Sequence, residues 1–130
     1  MNTEHVIQVT AATFVQYRED LIVLLLDAVK HGASVGFMDD LDRPQANRYF
    51  DEVHAQLEQG SLLLWVLIEE QRVLASVQLA LCQKTNGLNR AEVQKLLVLN
   101  EVRRRGLSQV LIHALEQGKK KKKRGLLHLD

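Results

Sequence analysis

The sequence predicts one mixed α/β domain, with a mostly antiparallel sheet, helices on both of its faces and the order β-α-α-β-β-β-α-β. Three observations carry that prediction. Apolar residues recur at helical spacing through residues 10–30 and again through 42–59. Two nearly continuous apolar runs follow, Ser61–Glu69 and Arg72–Cys82, and Glu69-Glu70-Gln71-Arg72 turns one into the other as in a hairpin. A strand apolar on both faces needs cover on both, which sets helices on either side. The length of 130 residues, with 46% of them hydrophobic, suits a single domain spanning residues 1–130.

Each element has its own local reason. Residues 5–9 read as a short strand. Thr10 is placed to cap a helix running to about Lys30, with Phe14, Tyr17, Leu21, Leu24, Leu25 and Ala28 on one face and Gly32 at its end. Ala33–Leu41 reads as a loop. Asp42 opens a second helix, with Gln45 three residues on as in a capping box and Pro44 in the first turn. Its buried stripe is Tyr49, Phe50, Val53 and Leu57, and Gly60 ends it. After the hairpin, Thr85-Asn86-Gly87 reads as a second turn. Arg90–Leu99 is the next strand, with Glu92, Gln94, Leu96 and Val98 expected on one face. A helix follows from about Leu107 to Gln117, and Gly125–Asp130 is the last strand.

Composition excludes several classes. Seventeen basic against sixteen acidic side chains rule out a globally acidic or basic chain. The balance hides an asymmetry: residues 103–124 carry nine basic side chains against Glu116, whereas residues 1–102 carry eight basic against fourteen acidic. That basic end implies either an anionic partner or a solvated helix end. The run Lys119–Lys123 lacks interleaved aromatics, so nucleic acid is not the expected partner. The single cysteine, Cys82, excludes a disulfide framework and a cysteine-ligated zinc site. His5, His31, His54, His113 and His128 show no metal-ligand spacing, so no metal is expected. The opening MNTEHVIQ shows no signal peptide, and the longest apolar runs, LIVLLL and LLLWVLI, fall well short of the ~18 residues of a membrane span. A soluble, cytoplasmic protein without a membrane partner is the expectation.

The segment Leu97-Val98-Leu99-Asn100-Glu101-Val102-Arg103-Arg104-Arg105-Gly106-Leu107-Ser108 carries the most chemistry. It reads as strand, basic loop and helix start. Such a loop aims successive backbone N–H groups into one concavity, and the helix dipole adds positive potential. Gly106 lets a ligand approach the backbone closely. The guest suited to this arrangement is a pyrophosphate. On spacing alone, a solvated helix entry fits the three arginines equally well.

The order of elements and this loop together resemble the GNAT superfamily of acetyl-CoA-dependent N-acetyltransferases. That family carries R/Q-x-x-G-x-G/A between its fourth strand and third helix, and Arg103-x-x-Gly106-x-Ser108 occupies the same frame here. The segments GASVGFMDDLD (32–42), GSLLLWV (60–66), LASVQLALCQKTNGLNRAEVQKLLVL (74–99) and KRGLLHLD (123–130) extend the resemblance, which reaches members acting on an antibiotic-like toxin. Asn100 stands where a proline is usual, Arg104 where a small residue is found, and Ser108 where Gly or Ala is usual.

The resemblance implies acetyl-CoA as co-substrate and the primary amine of a small molecule as acceptor. It implies pantetheine pairing with the backbone around Leu96, Leu97 and Val98, where a free N–H, often at a bulge, polarises the thioester. It implies phosphate binding at Arg103, Arg104, Arg105, Gly106, Leu107 and Ser108. Glu92 begins the fourth strand where members often place the general base, and Asp130 ends the neighbouring strand; the alternative for Glu92 is a surface strand residue paired with Arg90 or Lys95. The loop with Phe37 and Asp40 becomes a lid over the acceptor pocket. A complete member adds a helix and two more strands, the helix often bearing a tyrosine that protonates the departing thiolate. Against that frame this chain is shortened, Tyr17 and Tyr49 match no such acid, and the open last strand predicts a homo-oligomer. The alternative expectation is a catalytically defective remnant that binds acetyl-CoA or a protein partner.

Overall fold

The computed structural model describes residues 5–32, 40–83 and 89–122. Within them the order is β1 (His5–Val9), α1 (Phe14–Lys30), α2 (Arg43–Gln59), β2 (Leu62–Glu69), β3 (Arg72–Gln83), β4 (Asn89–Val98), a short 3₁₀ helix (Asn100–Arg105) and α3 (Leu107–Lys122). The strands form an antiparallel sheet in the order β1-β2-β3-β4. The expected last strand and the Thr85-Asn86-Gly87 turn lie outside the described residues.

Local signals account for most boundaries. Asp42 accepts from the Gln45 backbone N–H at 2.9 Å while the Gln45 side chain accepts from the Asp42 N–H at 3.0 Å, so the expected capping box opens α2. Gly60 closes α2 with φ of 78°, left-handed backbone that favours glycine. The start of α1 differs from expectation. Thr10 and Thr13 bond reciprocally, each backbone N–H to the other's hydroxyl at 3.0 and 3.2 Å, and this closed turn delays the helix to Phe14. The last helix also runs further than expected, to Lys122, because the lysine run is compatible with helix and no proline stops it.

The expected hairpin forms with Glu69 opposite Arg72 and only Glu70 and Gln71 between. Both have positive φ, 54° and 64°, as a two-residue type I′ turn requires. Every β3 residue from Val73 to Leu79 is buried, so the central strand is covered on both faces. Tyr49 of α2 bonds Gln78, which places α2, and α1 packed on it, over the Gln78 face. Arg18–Asp51 and Arg43–Glu19, at 2.7 and 2.6 Å, join the two helices. The other face packs against α3 through Leu107, Leu111 and Leu115, all buried. The helix stripes match expectation, with Ile22 and Val29 added in α1, Ala46 added in α2, and Tyr17, Tyr49 and Leu57 only half-buried. Among the described residues no helix is long and apolar enough to cross a membrane.

One expectation about β4 is corrected. Gln94 pairs with Gln78 and Leu97 with Ser76, so Lys95 and Leu96 together stand opposite Val77. This is a β-bulge, and one extra residue reverses the alternation beyond it. Position 97, rather than 96 or 98, therefore continues the row of Glu92 and Gln94, and Val98 pairs with Ala75 in the other row.

Candidate active site

The bulge is the first component of the site. Lys95 adopts φ of 52°, a left-handed conformation that is uncommon for a residue with a Cβ and that marks a locally over-determined backbone. Beyond the bulge Leu97 is buried and anchors the strand, while Leu96 is 37% exposed. The chain leaves the sheet with the Leu99 N–H donating to the Leu74 carbonyl at 2.9 Å.

The basic segment then winds as a 3₁₀ helix rather than the open loop expected from sequence. Asp27 of α1 accepts from the Asn100 N–H at 2.8 Å, and Val102, 8% exposed, plugs into the core. Arg103, Arg104 and Arg105 therefore follow one another around a tight turn. Gly106 ends it with φ of 72°, and a Cβ built there would meet nothing within 4 Å. Its outer face is thus open to close approach. The first turn of α3 begins immediately afterwards, where orphan N–H groups and the positive end of the helix dipole favour an anion.

The three arginines are not equivalent. Arg105 donates two bonds to the Glu69 carboxylate, at 2.5 and 3.2 Å, and that hydrogen bonding holds the Glu69 pKa below the usual carboxylate value. Arg72 pairs with Glu101. Arg103 and Arg104 are exposed and have no ion-pair partner among the described residues.

Beside the buried stripe Leu107-Leu111-Leu115, the flank of α3 that carries Ser108, Ile112 and Glu116 borders Leu96 of β4. Leu96, Ser108, Gln109, Ile112, His113 and Glu116 line a hollow of about 290 Å³ there. This open hollow includes Leu96 at the bulge and Ser108 in the first turn of α3.

The family model of the acetyltransferase (GNAT) family matches residues 26–130. The chain belongs to this family. Solved structures share the fold at low identity. Glucosamine-6-phosphate N-acetyltransferase from Arabidopsis thaliana is 16% identical with a TM-score of 0.61, over 98% of this chain and 82% of that one. An acetyltransferase from Clostridium acetobutylicum, solved with acetyl-CoA, is 13% identical with a TM-score of 0.62, over 98% and 79%. An aminoglycoside acetyltransferase from an uncultured soil metagenomic sample, in complex with sisomicin, is 16% identical with a TM-score of 0.66, over 98% and 75%.

In this GNAT chain the other sequence-predicted residues fall into four groups. Leu96 and Ser108 are brought together at the hollow, and Arg103, Arg104 and Gly106 are exposed in the segment that leads into α3. Leu97 and Leu107 are core side chains, leaving only their backbone to a ligand; Val98 is half-buried. Glu92 lies in β4 opposite Ala80, two residues before the Gln94 that precedes the bulge, and Asp40 is exposed at the turn before α2. Phe37 and Asp130 lie outside the described residues. Gln109, Ile112, His113 and Glu116 were not singled out from sequence. Their signal was present: Ser108, Ile112 and Glu116 are spaced i, i+4, i+8 beside the buried leucine stripe. No group of three or more His, Cys, Asp or Glu among the described residues is arranged to hold a metal ion.

Proposed function

We propose that this GNAT-family chain transfers acetyl from acetyl-CoA to the primary amine of a small molecule. The observation that carries the reading is the open backbone at Gly106, between the exposed Arg103 and Arg104 and the start of α3, whose first-turn Ser108 shares a hollow with Leu96 of the β4 bulge. Phosphates need the first part, close N–H approach with positive charge. The thioester needs the second, a strand whose ladder is interrupted so that a backbone donor faces the developing oxyanion. The family membership and the acetyl-CoA complex of a fold relative support the same assignment.

In this reading the amine loses a proton to Glu92, directly or through a water, and its nitrogen attacks the thioester carbonyl carbon. The C–N bond forms, the C–S bond breaks, and the coenzyme leaves as a thiolate that takes up a proton. Asp130 assists deprotonation or holds the ammonium, and Phe37 and Asp40 contribute to the acceptor pocket. The acceptor is an antibiotic-like toxin, on the resemblance of segments 32–42, 60–66, 74–99 and 123–130 to the tabtoxin resistance protein. Fold relatives that act on amino sugars and aminoglycosides are consistent with a small aminated acceptor.

Calorimetric titration of the chain with acetyl-CoA, followed by a coupled thiol-release assay with candidate amines, tests the reading. Saturable binding with amine-dependent thiol release is the expected result. Absence of binding would overturn it.

A further inference from the structure

Four charged residues connect the hairpin end to the basic 3₁₀ turn. Glu69 and Arg72 are register partners flanking the Glu70-Gln71 turn. Glu69 takes Arg105 in a two-bond contact, at 2.5 and 3.2 Å, across 36 residues of sequence. Arg72 takes Glu101. Opposite charges at one hairpin end thus grip both ends of the 3₁₀ segment, while Asp27 holds its first N–H. The Glu69 side chain is only 11% exposed, so this pair is more sheltered than an ordinary surface bridge.

Such gripping suits a segment whose backbone geometry matters. The 3₁₀ turn delivers Gly106 into a left-handed conformation and aims the first amides of α3. A planar guanidinium bound at two points restrains orientation as well as distance. We infer that Glu69 and Arg72 are positioning residues for the anion-binding start of α3, and that Arg105 acts through Glu69 rather than as a phosphate ligand. This inference rests on the acetyl-CoA reading of the same loop. The opposing role, in which Arg105 binds phosphate and Glu69 only neutralises it, has the opposite sign. Removing Glu69 would then free a cation and tighten binding.

The test is calorimetry of the full chain with coenzyme A, for wild type, Glu69→Gln and the charge exchange Glu69→Arg with Arg105→Glu, with KM for acetyl-CoA and kcat measured beside it. Glu69→Gln is expected to weaken coenzyme A binding by about fivefold, raise KM for acetyl-CoA similarly and leave kcat within about twofold. The charge exchange is expected to restore most of the loss, which a general packing defect would not allow. Should Glu69→Gln fail to fold, Arg72→Gln, at a 53% exposed position, is expected to shift affinity in the same direction. Unchanged or tighter binding in the folded single variants overturns the positioning role and leaves the acetyl-CoA reading standing. Failure of the wild type to bind coenzyme A overturns that reading, and the positioning role with it.

Discussion

The Tyr49 hydroxyl and the Gln78 carboxamide bond to each other inside the molecule, Nε2 donating to the phenol oxygen at 2.9 Å. Gln78 is 3% exposed and sits opposite Gln94, immediately before the β4 bulge. A buried carboxamide without a partner is costly, so Tyr49→Phe is expected to destabilise the fold by about 1–3 kcal/mol while keeping the ring packed. Burial raises the Tyr49 pKa above 10.0, with a smaller opposing effect from Gln78. The unfolded phenol therefore ionises first, and stability should fall as pH rises past its ordinary value. Denaturant midpoints of wild type and Tyr49→Phe across alkaline pH check both points; parallel curves would show that Tyr49 contributes nothing to the slope.

Lys95 gives a backbone prediction. Its φ of 52° suits glycine, so Lys95→Gly should leave the fold intact or stabilise it by about 0.5–1 kcal/mol. Lys95→Ile, β-branched at a left-handed position, should be destabilised by about 1–2 kcal/mol. Thermal unfolding of the two variants should rank them in that order.

Gly106 separates backbone strain from ligand exclusion. No atom blocks a Cβ there, but φ is 72°. Gly106→Asn, which tolerates this conformation, is expected to fold and to retain coenzyme A binding. Gly106→Glu places bulk and negative charge where the phosphates are proposed to sit, and binding should fall at least tenfold, about 1.4 kcal/mol. Wild-type affinity in Gly106→Glu by calorimetry would remove the loop from the site.

Glu92 is tested by rate rather than affinity. Glu92→Gln should lower turnover by ~10²–10⁴-fold with coenzyme A affinity nearly kept. The loss should be greatest at low pH, where little free amine is present without a base. An unchanged pH–rate profile would reject the role.

The Glu69–Arg105 pair predicts an acid effect on stability. Hydrogen bonding to Arg105 lowers the Glu69 pKa from 4.5, so the folded state holds the carboxylate more strongly than the unfolded chain does. The resulting stabilisation is full above 4.5 and is lost as pH falls through the lowered folded value. The stability difference between wild type and Glu69→Gln should therefore shrink on acidification, as read from urea midpoints at neutral and acidic pH.

Sequence by itself determined what depends on neighbours along the chain. The capping box of Asp42 and Gln45, the Gly60 terminus, the Glu69–Arg72 hairpin and the buried stripes all rest on periodicity or on groups within four residues of each other. The frame Arg103-x-x-Gly106-x-Ser108 likewise marked the segment on which the phosphate-binding proposal rests. Only the tertiary structure decided the rest. The β4 bulge exists because Gln94 and Leu97 take partners two residues apart on β3, and one slipped residue reverses every later side chain. Arg105 and Glu69 meet across 36 residues, and Asn100 and Asp27 across 73. Such contacts depend on how sheet and helices pack in space, so no local pattern could separate the clamped Arg105 from Arg103 and Arg104 beside it.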